Sequence, residues 1–195
     1  MVPFIGLTGG IGAGKSTALS ALERLGAATL STDAVVHDLY DSDEVRDAVL
    51  ARWGEEVAPG GAVDRAAVAA RAFASEDDRH WLEALLWPRV GARVAVWRDE
   101  IDARVPAPRA AVVEVPLLFE AGMDDVFDAT IAVVADEAVR ADRAAGRGHT
   151  ALAERASRQL DQAEKADRAT FAVANSGTVD ELERKLSAIL ERVNA

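Results

Sequence analysis

The 195-residue chain contains no cysteine. Disulfide scaffolds, thiolate zinc sites and cysteine nucleophiles are therefore excluded. Three histidines, His37, His80 and His149, supply all of the imidazole groups. So small a set of nitrogen ligands argues against a transition-metal enzyme.

The sequence also lacks the run of roughly 18 uninterrupted apolar residues that a membrane-spanning helix needs. Its first residues, Met1 to Leu7, carry neither the basic region nor the small-residue cleavage site of a signal peptide. We therefore expect a cytoplasmic protein with no membrane association.

Positive charge is scarce. The chain has 33 acidic and 22 basic residues, a formal net charge of −11, whereas proteins that bind nucleic acids concentrate Lys and Arg on one surface. We expect no nucleic-acid partner, and no segment of the sequence indicates a protein partner. Lysine itself occurs at three positions, Lys15, Lys165 and Lys185. An anionic ligand would therefore need a local cluster of basic residues.

Apolar runs of strand length alternate with helical patterns along most of the chain. The strand candidates are residues 4–8, 27–30, 110–115, 130–134 and, more weakly, 170–174, and the last helix is predicted at Val179 to Val193. Strands that alternate with helices predict an α/β fold, with about five strands in a parallel sheet and helices on both faces.

Two helical segments interrupt this alternation. Between residues 64 and 105 the apolar positions recur every three or four residues, which predicts two or three helices with a kink or break near Trp87 and Pro88. A second, charged helical segment follows the strand at 130–134. We therefore divide one domain into a core at about 1–54, 106–135 and 169–195, a helical insert at about 55–105 and a lid at about 136–168.

A glycine-rich motif follows the first strand and precedes a helix. It matches G-x-x-x-x-G-K-[ST], and its residues are Gly9, Gly10, Ile11, Gly12, Ala13, Gly14, Lys15 and Ser16. Backbone N–H groups of such a loop bind phosphate, Lys15 reaches the β and γ phosphates, and the Ser16 hydroxyl ligates Mg²⁺. The alternative is a glycine-rich turn with an incidental lysine, but the strand and helix around the motif favour a nucleoside triphosphate site.

The motif alone does not identify the phosphate acceptor. The sequence has no N-K-x-D segment for guanine and no apolar run followed by Asp-Glu, as many ATPase motors have. Small-molecule phosphoryl transfer is therefore the leading hypothesis.

Two carboxylates are predicted at the edge of the sheet where the strands end. Asp33 follows the second strand, where it could accept the proton of an attacking hydroxyl or help to hold Mg²⁺, but it could equally be a helix N-cap. Glu114 ends the third predicted strand and could orient Mg²⁺ through water, or it could be an ordinary strand-end carboxylate.

The predicted lid contains the local excess of positive charge. Residues 140–168 include seven basic and five acidic side chains, a local charge of +2. Arg140, Arg143 and Arg147 follow one another at spacings of three and four, so they share one helix face that could close over transferring phosphates. A solvated helix with Asp and Glu pairs is the alternative for each arginine taken singly.

Several segments of the sequence together resemble the dephospho-CoA kinase family. They are Leu7 to Thr17, Asp33, Val63-Asp64-Arg65, Val115 to Glu120, Gln159 and Asn175-Ser176-Gly177. The resemblance covers nearly the whole chain, and it implies a P-loop kinase fold with a helical CoA-binding lobe and a mobile lid. The implied reaction is the ATP-dependent phosphorylation of the ribose 3′-hydroxyl of dephospho-CoA, which gives CoA and ADP, with Mg²⁺ as the expected ion.

The resemblance also implies roles for individual residues. Gly12 to Thr17 would hold the ATP phosphates together with Arg140, Asp33 would face the 3′-hydroxyl, and Lys15, Arg143 and Arg147 would act on the transferring phosphate. The expected acceptor-binding residues are Thr8, Asp33, Arg65, Pro116, Leu117, Leu118, Phe119 and Glu120. Family members often carry an acid where this chain has Ser31 and a histidine where it has Trp87, so no role is transferred to those two positions.

Two other functions remain alternatives at this point. Another P-loop small-molecule kinase, of the nucleoside monophosphate or shikimate type, would share the phosphate chemistry and differ in its acceptor pocket. A nucleotide-binding regulator would hold ATP or GTP without transferring phosphate.

Overall fold

The computed structural model describes residues 1–145 and 159–195. In these two ranges the strands are β1 (Phe4–Gly9), β2 (Ala28–Ser31), β3 (Ala111–Glu114), β4 (Ala129–Val134) and β5 (Phe171–Ala174). The α-helices are α1 (Lys15–Arg24), α2 (Thr32–Tyr40), α3 (Asp43–Trp53), α4 (Arg65–Ala74), α5 (Glu76–Asp102), α6 (Glu137–Ala145), α7 (Gln162–Arg168) and α8 (Val179–Val193). Single-turn 3₁₀ helices occur at Glu55–Val57 and Asp124–Val126.

The five strands form one parallel sheet in the order β2-β3-β1-β4-β5. This confirms the predicted α/β architecture. In the register of the sheet, Glu114 of β3 lies opposite both Leu7 of β1 and Ser31 of β2. The carboxyl ends of the three strands therefore meet at one edge, which is where ligands bind in open α/β sheets.

Side chains along β1 alternate between the two faces of the sheet, and all six positions are buried. Both faces of the sheet are therefore covered, as in other parallel sheets. Ile5 and Leu7 point into an apolar cluster with Leu22 of α1 and Leu186 of α8. Phe4 and Gly6 point to the opposite face. There the Phe4 ring packs against Phe127 and under the Arg98 guanidinium of α5, with distances of 4.7 Å between ring centroids and 4.3 Å from the guanidinium carbon to the ring.

The chain divides into two compact units, Met1–Ser31 with Arg98–Ala195, and Thr32–Trp97. The first unit contains the whole sheet. The second consists of helices, and within it the indole rings of Trp53 and Trp81 meet edge to face with centroids 5.0 Å apart. Arg52 and Asp78 form an ion pair of 2.7 Å beside them. The predicted division into core, insert and lid remains a prediction.

The sequence predicts a kink or break near Trp87 and Pro88, and the break is wrong. Helix α5 runs without interruption from Glu76 to Asp102 and includes Pro88. A proline inside a helix removes one N–H donor and crowds the carbonyl group four residues earlier. Burial favours the continuous helix, because the side chain of Leu86 is 6% exposed. Within the same helix, Nη1 of Arg89 donates to the Leu85 carbonyl at 2.5 Å. None of the described helices is both long and apolar enough to cross a membrane.

Gly6 provides a test of the packing beneath the sheet. A Cβ at this position would lie 2.5 Å from Cδ1 of Leu118 and 2.8 Å from Cδ2 of Phe127. We expect Gly6→Ala to lower the free energy of unfolding by about 1–3 kcal/mol, the usual effect of overpacking, as measured by urea denaturation. Gly91→Ala is the control, because a Cβ there meets no atom within 4 Å and alanine favours the helix. Wild-type stability in Gly6→Ala would contradict this description of the core.

Candidate active site

The glycine-rich motif forms a loop between β1 and α1, as the sequence predicts. Gly12 and Gly14 have φ values of 76° and 91°, a region that favours glycine. Gly14 is also the N-cap of α1, and it provides no side-chain cap for the first N–H groups of that helix. These donors, together with the positive end of the helix dipole, make the loop a binding site for an anion such as phosphate.

Lys15 and Ser16 lie in the first turn of α1. The Lys15 ammonium folds back over the loop, where Nζ donates to the carbonyl groups of Gly9 at 3.0 Å and Gly10 at 3.4 Å. The charge of Lys15 is therefore held at the loop. Ser16 is exposed.

Hydrogen bonds from other elements hold the carbonyl groups of the loop. Nε of Arg140 donates to Ile11 at 3.1 Å, Nη1 of Arg143 donates to Gly12 at 3.5 Å, and Nδ2 of Asn175 donates to Ala13 at 2.8 Å.

The same contacts join the loop to α6 and to the end of β5. Nη1 of Arg143 also donates to the backbone carbonyl of Asn175 at 3.2 Å, and Asn175 is 3% exposed. Sequence reasoning quoted Asn175 as part of a family segment but gave it no role. Its local signal, an Asn at the end of a strand, is typical of many loops.

Two of the three arginines predicted to share a helix face are among the described residues. Arg140 and Arg143 lie on α6 and reach the loop, whereas Arg147 lies outside the described residues. Among the described residues, the hydrogen bonds of these two guanidinium groups use Nε of Arg140 and Nη1 of Arg143. A guanidinium group has five N–H donors, so further donors remain for phosphate oxygens.

The two predicted carboxylates lie in different units. Glu114 is the last residue of β3 and is 8% exposed. Asp33 is exposed and is the second residue of α2, so it is not the residue that precedes the helix. The N-cap alternative for Asp33 is therefore not supported.

Mg²⁺ prefers oxygen ligands, and it commonly binds through one or two protein groups together with substrate phosphates. In the sheet-containing unit, two groups could supply oxygen ligands. The Ser16 hydroxyl lies in the helix that follows β1, and the Glu114 carboxylate belongs to the last residue of β3, the strand beside β1. The described residues contain no group of three or more His, Asp or Glu side chains that could hold a metal ion by themselves. The donor set thus fits an ion that is shared with phosphate.

Residues 116–120, which we call the acceptor segment, follow β3 after one residue, Val115. The side chains of Leu118 and Phe119 are buried at 0% and 3% exposure, whereas Pro116, Leu117 and Glu120 are partly exposed. The two buried side chains therefore belong to the apolar interior. In the other unit, Arg65 is the exposed first residue of α4.

Lys165 of α7 connects the acceptor segment to β1, a contact that sequence reasoning missed. Its side chain is completely buried, and Nζ donates to the Pro116 carbonyl at 2.6 Å, to Oε1 of Glu120 at 2.9 Å and to Oγ1 of Thr8 at 3.3 Å. Burial lowers the pKa of the Lys165 ammonium, and the Glu120 carboxylate opposes that shift.

Comparisons with known proteins agree with this geometry. A family model described as dephospho-CoA kinase matches residues 3–181. The dephospho-CoA kinase of Deinococcus radiodurans is 37% identical over 195 aligned positions, which cover 97% of this chain and 91% of the relative.

Solved structures are similar as well. The crystal structure of TT1252 from Thermus thermophilus has a TM-score of 0.83 and 29% identity, with 100% of this chain and 99% of the other covered. The dephospho-CoA kinase from Campylobacter jejuni has a TM-score of 0.70 and 20% identity, with 98% and 96% covered. At that identity the likeness supports the fold.

Gly14 tests the geometry of the loop. A Cβ there would collide with Nδ2 of Asn175, and the φ of Gly14 is positive. We expect Gly14→Ala to weaken the affinity for ATP at least about tenfold, because the N–H groups of the loop would be displaced. Gly122→Ala is a matched control: Gly122 also has a positive φ, but a Cβ there meets no atom within 4 Å. Equal ATP affinities in the two variants, measured by isothermal titration calorimetry, would argue against this geometry.

Proposed function

The chain belongs to the dephospho-CoA kinase family, and we propose how its loop, its arginines and its acceptor segment divide the work of the reaction. It is a kinase that transfers the γ-phosphoryl group of ATP to the ribose 3′-hydroxyl of dephospho-CoA, giving CoA and ADP. The match of the family model to residues 3–181 carries this conclusion. It also sets aside the alternatives of a nucleotide-binding regulator and of a kinase for another acceptor.

The loop binds the ATP phosphates. Backbone N–H groups of the loop and of the first turn of α1 would donate to the phosphate oxygens, and hydrogen bonds from Arg140, Arg143 and Asn175 occupy the loop carbonyls. Lys15 neutralises charge on the β and γ phosphates. Phosphoryl transfer depends mainly on such positioning and charge stabilisation. The remaining donors of Arg140 and Arg143, together with Arg147, stabilise the transferring group.

Asp33 receives the proton of the acceptor. The 3′-oxygen forms a bond to the γ-phosphorus while the bond from that phosphorus to the β,γ-bridging oxygen breaks, and ADP leaves with the bridging oxygen. The proton of the 3′-hydroxyl passes to the Asp33 carboxylate. Asp33 is exposed at the start of α2, so the carboxylate is accessible to a substrate.

Mg²⁺ would be held by the Ser16 hydroxyl and, through water or directly, by Glu114 or Asp33, together with phosphate oxygens. When bound, the ion supplies positive charge to the β and γ phosphate oxygens. Ser16 is exposed in the first turn of α1, which leaves its hydroxyl accessible for this role.

The acceptor is bound by Thr8, Arg65 and the acceptor segment. The partly exposed Pro116, Leu117 and Glu120 contact dephospho-CoA directly. Leu118 and Phe119 contribute by anchoring the backbone of the segment, because their side chains are buried. A cytoplasmic location and the lack of protein partners remain predictions.

The substrate assignment is tested by an acceptor panel. Purified protein is given MgATP with dephospho-CoA, AMP, CMP, shikimate or no acceptor, and ADP formation is measured. We expect turnover with dephospho-CoA alone. Turnover with another acceptor would keep the phosphate-binding site and overturn the assignment, and ADP formation with none of them would favour a regulator.

Asp33→Asn tests the proton acceptor. The amide cannot take the proton, so we expect kcat to fall by about 10² or more, the usual scale for a general base, while the Kd for ATP changes little. Asp38→Asn is the matched control, an exposed carboxylate on the same helix. If Asp33→Asn turns over at the wild-type rate, or loses ATP binding, the proposed role is wrong.

A further inference from the structure

Lys165 is a buried cation to which the proposed reaction assigns no role. Its side chain has no exposed surface, although lysine is among the residues that are least often fully buried. Each of its three hydrogen-bond acceptors lies within the sheet-containing unit. The inference below rests on the proposed function, because it concerns the segment that binds the acceptor.

The three acceptors of Lys165 connect both ends of the acceptor segment to the start of the phosphate-binding loop. The Pro116 carbonyl, at 2.6 Å, begins the segment, and Oε1 of Glu120, at 2.9 Å, ends it. The third acceptor is Oγ1 of Thr8, at 3.3 Å, and Thr8 is the residue before Gly9 of the loop. The Thr8 hydroxyl itself donates to the Pro116 carbonyl, also at 3.3 Å. One ammonium group thereby holds the acceptor segment against the carboxyl end of β1.

A fourth contact adds the backbone of Leu160 to this connection. The backbone N–H of Leu160 donates to Oε1 of Glu120 at 2.8 Å, so the same oxygen binds both Lys165 and Leu160. We propose that Lys165 is a positioning residue: through Glu120, Pro116 and Thr8 it sets the acceptor segment relative to the phosphate-binding loop.

The chemistry of the pair supports positioning over simple packing. Apolar residues of similar volume would fill the same space, and such replacements for buried ion pairs are often neutral or stabilising. A lysine, by contrast, supplies three directional donors, and here they reach a backbone carbonyl, a side-chain hydroxyl and a carboxylate. Oε2 of Glu120 is buried and has no hydrogen-bond partner in the described parts of the chain. Lys165 pairs with this carboxylate at 2.9 Å.

The test compares substrate constants in four variants. Lys165→Met removes the ammonium group and keeps most of the side-chain volume. Glu120→Gln removes the charge of the carboxylate, and the double variant removes both charges, so it buries no unpaired ion. Lys185→Met is the control, because Lys185 is exposed and makes a hydrogen bond to the Ala174 carbonyl at 3.0 Å. For each variant, kcat, the KM for dephospho-CoA, the Kd for ATP and the Tm are measured.

We expect Lys165→Met to raise the KM for dephospho-CoA at least about tenfold and to lower kcat/KM for that substrate by about 10², since small displacements of a reactant have effects of this size. The Kd for ATP should stay within about twofold of the wild-type value. If the unpaired Glu120 prevents Lys165→Met from folding, the double variant should fold and show a KM above that of Glu120→Gln, the variant that measures any direct contact of Glu120 with the substrate. Lys185→Met should match the wild type in all four quantities.

Three results would overturn the inference. Wild-type constants in a folded Lys165→Met would remove any positioning role. If Lys165→Met weakens the binding of ATP as much as that of dephospho-CoA, Lys165 is only a structural residue. The same conclusion follows if the double variant has both the wild-type KM and the wild-type Tm. Lack of wild-type turnover with dephospho-CoA is a different outcome, since it refutes the proposed function itself.

Discussion

A phosphate-binding loop must turn its N–H groups towards the anion and its carbonyl groups away from it. In this protein, hydrogen bonds from outside the loop meet that constraint. Three successive carbonyls, those of Ile11, Gly12 and Ala13, are occupied by Arg140, Arg143 and Asn175. The positive φ values of the glycines permit the shape, and these three donors stabilise it. The donors come from α6 and from the end of β5, so the loop depends on elements that are distant in the sequence.

The order of the strands explains why these elements meet. Strand β1 lies at the centre of the sheet between β3 and β4, and β5 lies beside β4. The segments that follow the carboxyl ends of these strands therefore share one edge: the phosphate-binding loop after β1, the acceptor segment after β3, α6 after β4 and Asn175 after β5. Lys165 adds a buried connection between the first two. The loop and the segment proposed to bind the acceptor are thus parts of one hydrogen-bonded edge.

Local patterns were sufficient to predict much of this architecture. The five strands, the phosphate-binding loop and the final helix at Val179–Val193 follow from apolar runs, glycines and helical spacing, which depend on neighbouring residues. The predicted break at Pro88 was wrong because burial of Leu86 favours a continuous helix, and a local rule for proline contains no such information.

The roles of Asn175 and Lys165 could not be predicted from the sequence, because their partners are 162 and up to 157 residues away. One weak signal existed for Lys165: it is one of three lysines in a chain whose other basic residues are arginines. Arg147 lies outside the described residues, and the individual roles of Asp33, Glu114 and the acceptor segment remain predictions.

The central claim is that this chain transfers the γ-phosphoryl group of ATP to the 3′-oxygen of dephospho-CoA. The most direct measurement incubates the protein with dephospho-CoA and MgATP carrying an ¹⁸O-labelled γ-phosphate and identifies the product by mass and phosphorus NMR. We expect CoA that carries the labelled phosphate on the 3′-oxygen, in amounts equal to the ADP formed. Labelled inorganic phosphate without CoA, or phosphate on another oxygen of the acceptor, would contradict the claim.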